Sequence, residues 1–507
     1  MDTITNLLQE TFNHSSFKPQ QQAIVETILD GQDLLAVLPT GGGKSLCYQL
    51  PALLLPGLTL VVSPLVSLMK DQVDDLKQRN IAAEWINSTL TPKQLREKLA
   101  AIAGGGCKLL YVAPERFKSD DFVFLINNLG VSLIAVDEAH CISSWGHDFR
   151  PSYKKLGKFL EQLNNRPPIA AFTATATPQV KEDIEHLLHL QKPTVFQSTF
   201  DRPNLYFQVE KPMDKKRWLL DHLPELKGSS IIYCATRKDV ETLTNLLQKA
   251  GVNPLCYHAG LAKKLRNQAQ DEFQQRDDAL LIATNAFGMG IDKENVRCII
   301  HYQMPADLES YYQEVGRAGR DGKASRCILL FGPGDVSLQR QMIFGRPSYY
   351  GGNRVNRLVK LDAMLQYVFS KTCLRQNILS YFQESTTPCG YCQRCSKETH
   401  LRDATREAQI LLSTLHYIEG IAPAGLIPAI VRGSKKKDIR EKKLDQLSTY
   451  GLLKDFSERD LQLIMLDLLA QGYLKKTNIK FATTFITPLG VELLKGNQIF
   501  QTMVGGE

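Results

Sequence analysis

The feature that most constrains this 507-residue sequence is a rhythm that fills its first two thirds and then stops. Short apolar runs, each the length of a buried strand, alternate with longer stretches whose apolar residues recur every three or four positions. Runs of the first kind fall at 33–38, 59–63, 108–112, 133–136 and 169–173. A second set follows Asp201-Arg202-Pro203, at 230–234, 254–258, 279–283, 297–302 and 326–331. Between such runs, 65–79 sets Leu65, Leu68, Met69, Val73 and Leu76 on one helical face. Strand and helix in alternation build a parallel sheet covered on both faces. The two five-strand sets therefore predict an α/β chain with two doubly wound lobes in tandem. Ligands of such sheets bind at the carboxyl ends of the strands.

The rhythm ends at the turn Gly332-Pro333-Gly334. Helical patterns at 355–369 and 373–382 lead into a cysteine cluster. The remainder reads as helices followed by a hairpin: helix 461–470, Gly472, strand 473–476, a short turn through Thr477, Asn478, Ile479 and Lys480, and strand 481–487. Domain boundaries are expected at 1–199, 200–334, 335–400 and 401–507. No apolar run reaches the roughly 18 residues of a membrane span. The first residues lack a basic-then-apolar leader. A cytoplasmic location without a membrane partner is expected. The net charge of +8 permits a polyanionic partner without demanding one. Of the eleven cysteines, Cys234, Cys256, Cys298 and Cys327 lie singly in apolar runs and are expected to be small buried hydrophobes.

The first strand runs into Leu38-Pro39-Thr40-Gly41-Gly42-Gly43-Lys44-Ser45 and then a helix. Glycines let backbone N–H groups turn onto phosphate oxygens where a side chain would block the approach. Lys44 can reach the β- and γ-phosphates, and the Ser45 hydroxyl can ligate Mg²⁺. The strict phosphate-loop pattern fails only at its first position, Leu38. The fourth run, Leu133-Ile134-Ala135-Val136, ends in Asp137-Glu138-Ala139-His140. Asp137 at a strand's carboxyl end suits Mg²⁺, and Glu138 suits orientation and deprotonation of an attacking water. Further on, Arg317 and Arg320 are three residues apart and share a face. Offered across a cleft, they would meet charge developing on a γ-phosphate.

These blocks, with Cys141-Ile142-Ser143-Ser144-Trp145-Gly146-His147-Asp148-Phe149-Arg150-Pro151, resemble the RecQ family of superfamily-two DNA helicases. Further matches are Phe17-Lys18-Pro19 with Gln21, the block from Phe172 to Thr177, and Phe200-Asp201-Arg202-Pro203-Asn204-Leu205. Tyr257-His258-Ala259-Gly260, the block from Ala283 to Lys293, and the block from Gln313 to Gly322 complete them. The resemblance spans nearly the whole chain. It implies two tandem RecA-like lobes, then a helical zinc-binding module and a winged-helix domain. It also implies an ATP-dependent DNA helicase of 3′-to-5′ polarity acting in repair, recombination and fork maintenance.

By residue, the resemblance makes Gln313 a γ-phosphate or water sensor, beside Arg317 and Arg320. Gln21 is the adenine-reading amide, and Asp292 joins the nucleotide-binding set with Pro39, Thr40 and Gly41 to Ser45. Lys18 stands where the family often has arginine, losing the planar fork. His14 stands where many relatives carry a stacking aromatic. Trp145 and Phe149, flanked by polar residues, are read as an exposed loop that stacks on single-stranded bases and links DNA occupancy to hydrolysis. Ser63, Arg150, Thr175 and His258 are placed with it as DNA contacts. The partner expected is DNA, single-stranded and as tailed or forked duplex, with a single-strand-binding protein as a further partner and a nucleoid-associated location.

Cys389-Gly390-Tyr391-Cys392-Gln393-Arg394-Cys395 carries two C-x₂-C spacings, with Cys373 upstream on a helix. Such spacing aims neighbouring sulfurs at one tetrahedral Zn²⁺, and Cys373 would close the shell. Four thiolates leave no open position, so the role is structural; iron–sulfur ligation also uses four cysteines. The segment matches the family's zinc-binding one. In the last domain, Val431-Arg432-Gly433-Ser434-Lys435-Lys436-Lys437 is the most basic stretch, with Arg432 a candidate phosphate contact. The hairpin turn has no aromatic at its tip, which argues against an unwinding pin. The end at Glu507 leads us to expect no helical HRDC domain. Rival readings are an RNA helicase, a translocase that never unwinds, and a DNA-binding protein with a decayed motor. The aromatic loop and cysteine module argue against the first, and the intact Lys44, Asp137, Glu138, Arg317 and Arg320 against the last.

Overall fold

The structure, a computed structural model, describes the chain except residues 1–2, 65, 88–89, 147, 164, 289–292, 346–353, 398–399, 478–482 and 505–507. The first lobe is one parallel sheet of seven strands: β1 (Leu34–Val37), β2 (Leu58–Val62), β3 (Ala83–Ile86), β4 (Leu109–Val112), β5 (Val131–Val136), β6 (Ile169–Thr173) and β7 (Thr194–Gln197). Their order across the sheet is β3-β4-β2-β5-β6-β1-β7. The second lobe holds six parallel strands: β8 (Leu205–Glu210), β9 (Ser229–Tyr233), β10 (Leu255–Tyr257), β11 (Leu280–Ala283), β12 (Val296–His301) and β13 (Ser325–Leu330). Their order is β10-β11-β9-β12-β13-β8. Apolar clusters fill both faces of each sheet. Every strand expected in the two lobes is present, with ends moved by a residue or two. Three were missed, β3, β7 and β8, and all three are sheet edges. An edge strand need not be apolar throughout, and β7 is mostly exposed.

Beyond β13 come helices Pro333–Gly345, Arg354–Phe369 and Leu374–Tyr381, then the cysteine segment. The terminal domain is small and mainly helical. Strand β14 (Arg402–Asp403) pairs antiparallel with β17 (Gln501–Thr502), and β15 (Leu474–Lys476) with β16 (Thr484–Ile486). The hairpin strands are shorter than expected, and the tip at 478–480 lies outside the described residues. Among the described residues, no helix is long and apolar enough to cross a membrane. Cys234, Cys298 and Cys327 are buried as expected, whereas Cys256 is only half-buried.

The passage between the lobes is held on both sides. Ser198 N donates to Val37 O at 3.0 Å and its hydroxyl to Gln20 Oε1 at 3.1 Å, both in the first lobe. Thr199 Oγ1 donates to Glu384, and Phe200 N to Glu384 Oε2 at 2.7 Å, in the segment after helix Leu374–Tyr381. The Phe200 ring stacks on Phe382 at 4.4 Å, and Tyr312 of the second lobe donates its hydroxyl to Phe200 O at 2.8 Å.

Candidate active site

The glycine-rich loop leaves β1 and is shaped by conditions that only glycine meets. Gly41 and Gly43 adopt left-handed backbone, with φ of 80° and 74°. A Cβ on Gly42 would lie 2.9 Å from Pro39 O, and one on Gly43 would lie 2.3 Å from Gln21 Nε2. Gly43 caps helix Lys44–Leu54 without a side chain. The first-turn N–H groups and the helix dipole are thus free for an anion. Lys44 Nζ rests 3.4 Å from Leu38 O, within the loop it would leave to meet a phosphate.

Gln21 does something other than expected. It is buried, and its amide is spent on the protein: Oε1 accepts from Lys18 N at 2.8 Å, while Nε2 donates to Gly42 O and Gly43 O at 3.2 Å each. In this arrangement Gln21 braces the phosphate loop, and reading an adenine edge would require it to exchange these partners. Lys18 Nζ likewise donates to Gly41 O at 2.9 Å. His14 is exposed near the end of helix Thr3–Phe12.

At the end of β5, Asp137 N continues the ladder to Val62 O at 2.8 Å, and Tyr153 Oη donates to Asp137 O at 3.0 Å. Glu138 then turns left-handed, with φ of 49°. A non-glycine residue there costs about 1–2 kcal/mol. The turn brings Glu138 Oε2 within 3.3 Å of His140 Nδ1, itself 2.9 Å from Thr173 Oγ1 at the end of β6. Burial and the neighbouring Glu138 carboxylate push Asp137 up to about 7, against the pull of Lys44. Glu138 Oε2 is itself buried without a hydrogen-bond partner. Two acids confined beside one lysine fit a divalent cation.

The second lobe meets this site. Asp307 caps helix Leu308–Val315 by accepting from Ser310 N at 2.7 Å. The helix carries half-buried Gln313 and delivers a turn bearing Arg317 and Arg320. A Cβ on Gly41 would lie 3.3 Å from Arg320 Cδ, and one on Gly316 would lie 3.7 Å from Thr40 Cβ. The turn therefore lies directly on the phosphate loop. Arg317 is buried and points inward, donating to Gly288 O. Asp292 lies outside the described residues.

The residues expected to touch DNA divide. Trp145 is half-buried, and its neighbours Ser144 and Gly146 line a cavity of about 160 Å³ shared with Tyr233, Gln303, Asn356 and Lys360. Phe149 corrects the expectation of an exposed aromatic: it is 5% exposed, with Lys154 Nζ 5.5 Å over its ring. It packs inward because the loop folds back, Arg150 N bonding to Cys141 O at 2.8 Å. The Arg150 guanidinium is also engaged internally, with Asp148 at 2.9 Å and Pro64 O at 2.6 Å. It ties the aromatic loop to the segment after Ser63. Ser63 and Thr175 are buried at strand ends, each with a hydroxyl that lacks a partner. His258, expected among the DNA contacts, is buried and accepts from Gly260 N at 3.2 Å. Arg432 is exposed on the terminal domain.

Cys373, Cys389, Cys392 and Cys395 converge, their sulfurs within 4.8 Å of one another. Cys373 Sγ accepts from Gln376 N at 3.4 Å and from Cys389 N at 3.3 Å, so the helix start and the cysteine turn share one sulfur. Four sulfurs bonded to one tetrahedral Zn²⁺ would stand about 3.8 Å apart, and the cluster fits that ion. Sequence reasoning named Arg202 and Asn204 only within a matching block, without a role, and overlooked the buried His301–Glu314 pair at 2.7 Å, which only tertiary contacts reveal.

Two parallel-sheet lobes closed on a phosphate loop, with an arginine of one lobe set on the loop of the other, define a nucleic-acid motor of the helicase class. Profiles of known families agree along the chain: a DEAD/DEAH box helicase domain at 18–184, a helicase conserved C-terminal domain at 214–322, a RecQ zinc-binding segment at 333–396 and an RQC domain at 398–504. The ATP-dependent DNA helicase RecQ of Bacillus subtilis is 40% identical over 494 residues, covering 97% of this chain and 83% of that protein. The RecQ helicase of Pasteurella multocida is 40% identical over 503 residues, covering 98% and 78%. Among solved structures, the Mycobacterium smegmatis helicase Lhr bound to ssDNA and AMP-PNP superposes with a TM-score of 0.53 at 19% identity, over 96% of this chain and 60% of that one, a likeness of fold. The chain belongs to the RecQ family of ATP-dependent DNA helicases.

Proposed function

We propose that ATP binding draws the lobes together over single-stranded DNA and that hydrolysis lets them part, stepping the strand through with 3′-to-5′ polarity. The observation that carries this is Arg320 seated against Gly41, which makes the site a composite of both lobes. Lys44 and the loop N–H groups hold the β- and γ-phosphates. Ser45 and Asp137 would hold Mg²⁺, which when bound supplies positive charge at the phosphate oxygens. Glu138 orients the attacking water and takes its proton. Arg317, Arg320 and Gln313 sense the γ-phosphate, an inserted arginine being worth about 10³–10⁵ in rate. Arg317 would have to release Gly288 O to do so.

On the DNA side, Trp145 stacks on a base, Ser63 and Thr175 turn their hydroxyls to phosphates, and Arg432 grips duplex backbone. Each base step opened costs about 1.4 kcal/mol of stacking, which hydrolysis must supply. The boundaries 1–199, 200–334, 335–400 and 401–507 delimit the two motor lobes, the zinc module and the winged helix. Tailed and forked duplexes are the substrates, a single-strand-binding protein is a partner, and the site of action is the cytoplasmic nucleoid. The test is ATP-dependent strand displacement on matched duplexes with a 3′ or a 5′ tail. Unwinding of only the 3′-tailed duplex is expected; displacement from the 5′ tail alone refutes the polarity.

A further inference from the structure

The turn that carries Arg317 and Arg320 is tied to its own sheet at one N–H, Gly319 N donating to Val296 O of β12 at 2.9 Å, but most of its exposed carbonyls are met by side chains. After helix Leu308–Val315 ends, the carbonyls that follow have no helical partner to satisfy them. Arg202 supplies it, donating from Nη1 to Gly316 O at 3.3 Å and from Nη2 to Ala318 O and Gly319 O at 2.9 and 3.0 Å. Asn204 Nδ2 adds Gly319 O at 2.8 Å and Lys323 O at 2.9 Å. The gripped carbonyls flank Arg317 on both sides. A Cβ on Gly319 would lie 2.4 Å from Asn204 Nδ2, so the clamp closes on bare backbone.

The clamp is itself held from the zinc module. Arg375, on the helix that Cys373 caps, is buried and donates from Nη2 to Pro203 O and Leu205 O at 2.9 Å each. These carbonyls lie on either side of Asn204. Its Nε stands 3.6 Å from Asp201 Oδ1. A guanidinium sets its donors in a rigid planar fork that reaches carbonyls spread along a turn, whereas a lysine ammonium gathers its three donors at one point.

We propose that Arg202 and Asn204 are positioning residues for ATP hydrolysis, fixing the 316–319 backbone so that Arg317 and Arg320 face the phosphate loop, with Arg375 fixing them in turn. This rests on the reading of those two arginines as γ-phosphate contacts. All three side chains are spent on backbone carbonyls, so their effect is expected on turnover and not on ATP or DNA binding.

The test compares the full chain with Arg202→Gln, Arg202→Lys, Asn204→Ala, Arg317→Ala, Arg320→Ala and the Arg202→Gln/Arg320→Ala double variant. DNA-stimulated ATPase kcat and KM, single-strand affinity and Tm are measured for each. A misplacement of about 1 Å costs about 10²-fold. We expect Arg202→Gln and Arg202→Lys to lose about that much kcat, with KM, DNA affinity and Tm near the parent's. The double variant should be no slower than Arg320→Ala alone. Parental kcat in folded Arg202→Gln, or losses that multiply in the double variant, overturns the clamp while leaving the arginines standing. Parental kcat in both Arg317→Ala and Arg320→Ala removes the arginine reading and the clamp with it. Should Arg202→Gln not fold, Asn204→Ala decides by the same kcat and Tm readings.

Discussion

Glu138 is the residue on which hydrolysis should turn most sharply. Its left-handed backbone aims the carboxylate into the seam between β5 and β6, beside His140 and Thr173. Glu138→Gln keeps the shape and removes the proton acceptor. We expect it to bind ATP as the parent does and to lose about 10²–10⁴ in kcat, by steady-state ATPase and nucleotide titration. Lys211 makes a different kind of prediction. Burial and the nearby Arg394 push its ammonium down to about 7, against Asp467 and Glu210. Between pH 7 and its ordinary 10.5, the unfolded chain holds a proton that the folded chain does not, so stability gains with rising pH over that window. Lys211→Met should raise the denaturant midpoint at pH 7 and flatten its rise toward pH 9. The sequence disclosed Lys44, Asp137 and the glycines because their chemistry is set by spacing along the chain. It could not disclose that Gln21 braces the loop or that Arg150 serves Pro64, since those partners lie 21–22 and 86 residues away.

Elements were most readable where the sequence runs apolar without a break; at the sheet edges the half-buried β10 was read, while the largely buried β8 was not. Strands β1, β5 and β6 announce themselves as unbroken apolar runs; β3, with Glu84 and Trp85 half-exposed, does not. The joints between elements depend on polar residues that no periodicity flags. Asp33, just before β1, accepts from Arg166 Nη1 at 3.0 Å, from Ile169 N at 2.9 Å and from Gln191 N at 2.6 Å. It thereby pins the starts of three neighbouring strands. Asp33→Ala leaves Arg166 and two N–H groups without it, and should cost about 3–5 kcal/mol in denaturant unfolding. The cysteine segment was legible from spacing alone, since ligand geometry is local. One zinc per chain is expected by elemental analysis, and Cys392→Ser should abolish it and loosen helix Leu374–Tyr381. Such sites contribute about 10–16 kcal/mol to the segment they fold.

At the scale of the whole molecule, a buried apolar cluster runs from the first lobe through the second into the zinc module and terminal domain. The sequence foretold the order of these parts but not their fit, which depends on contacts between segments far apart in the chain. The feature with the widest consequence is the passage between the lobes. Ser198 belongs to the first lobe by its hydrogen bonds, and Thr199 to the zinc module by its own. The chain thus passes between the two lobes at a pivot about one peptide long, closer to a door pin than to a strap. In the proposed cycle of closing and parting, such a pin would restrict the lobes to a swing about residues 198–199. Four glycines inserted between Ser198 and Thr199 would turn the pin into a tether. Such a chain should still hydrolyse ATP in the presence of DNA, but displace far fewer base pairs for each ATP spent.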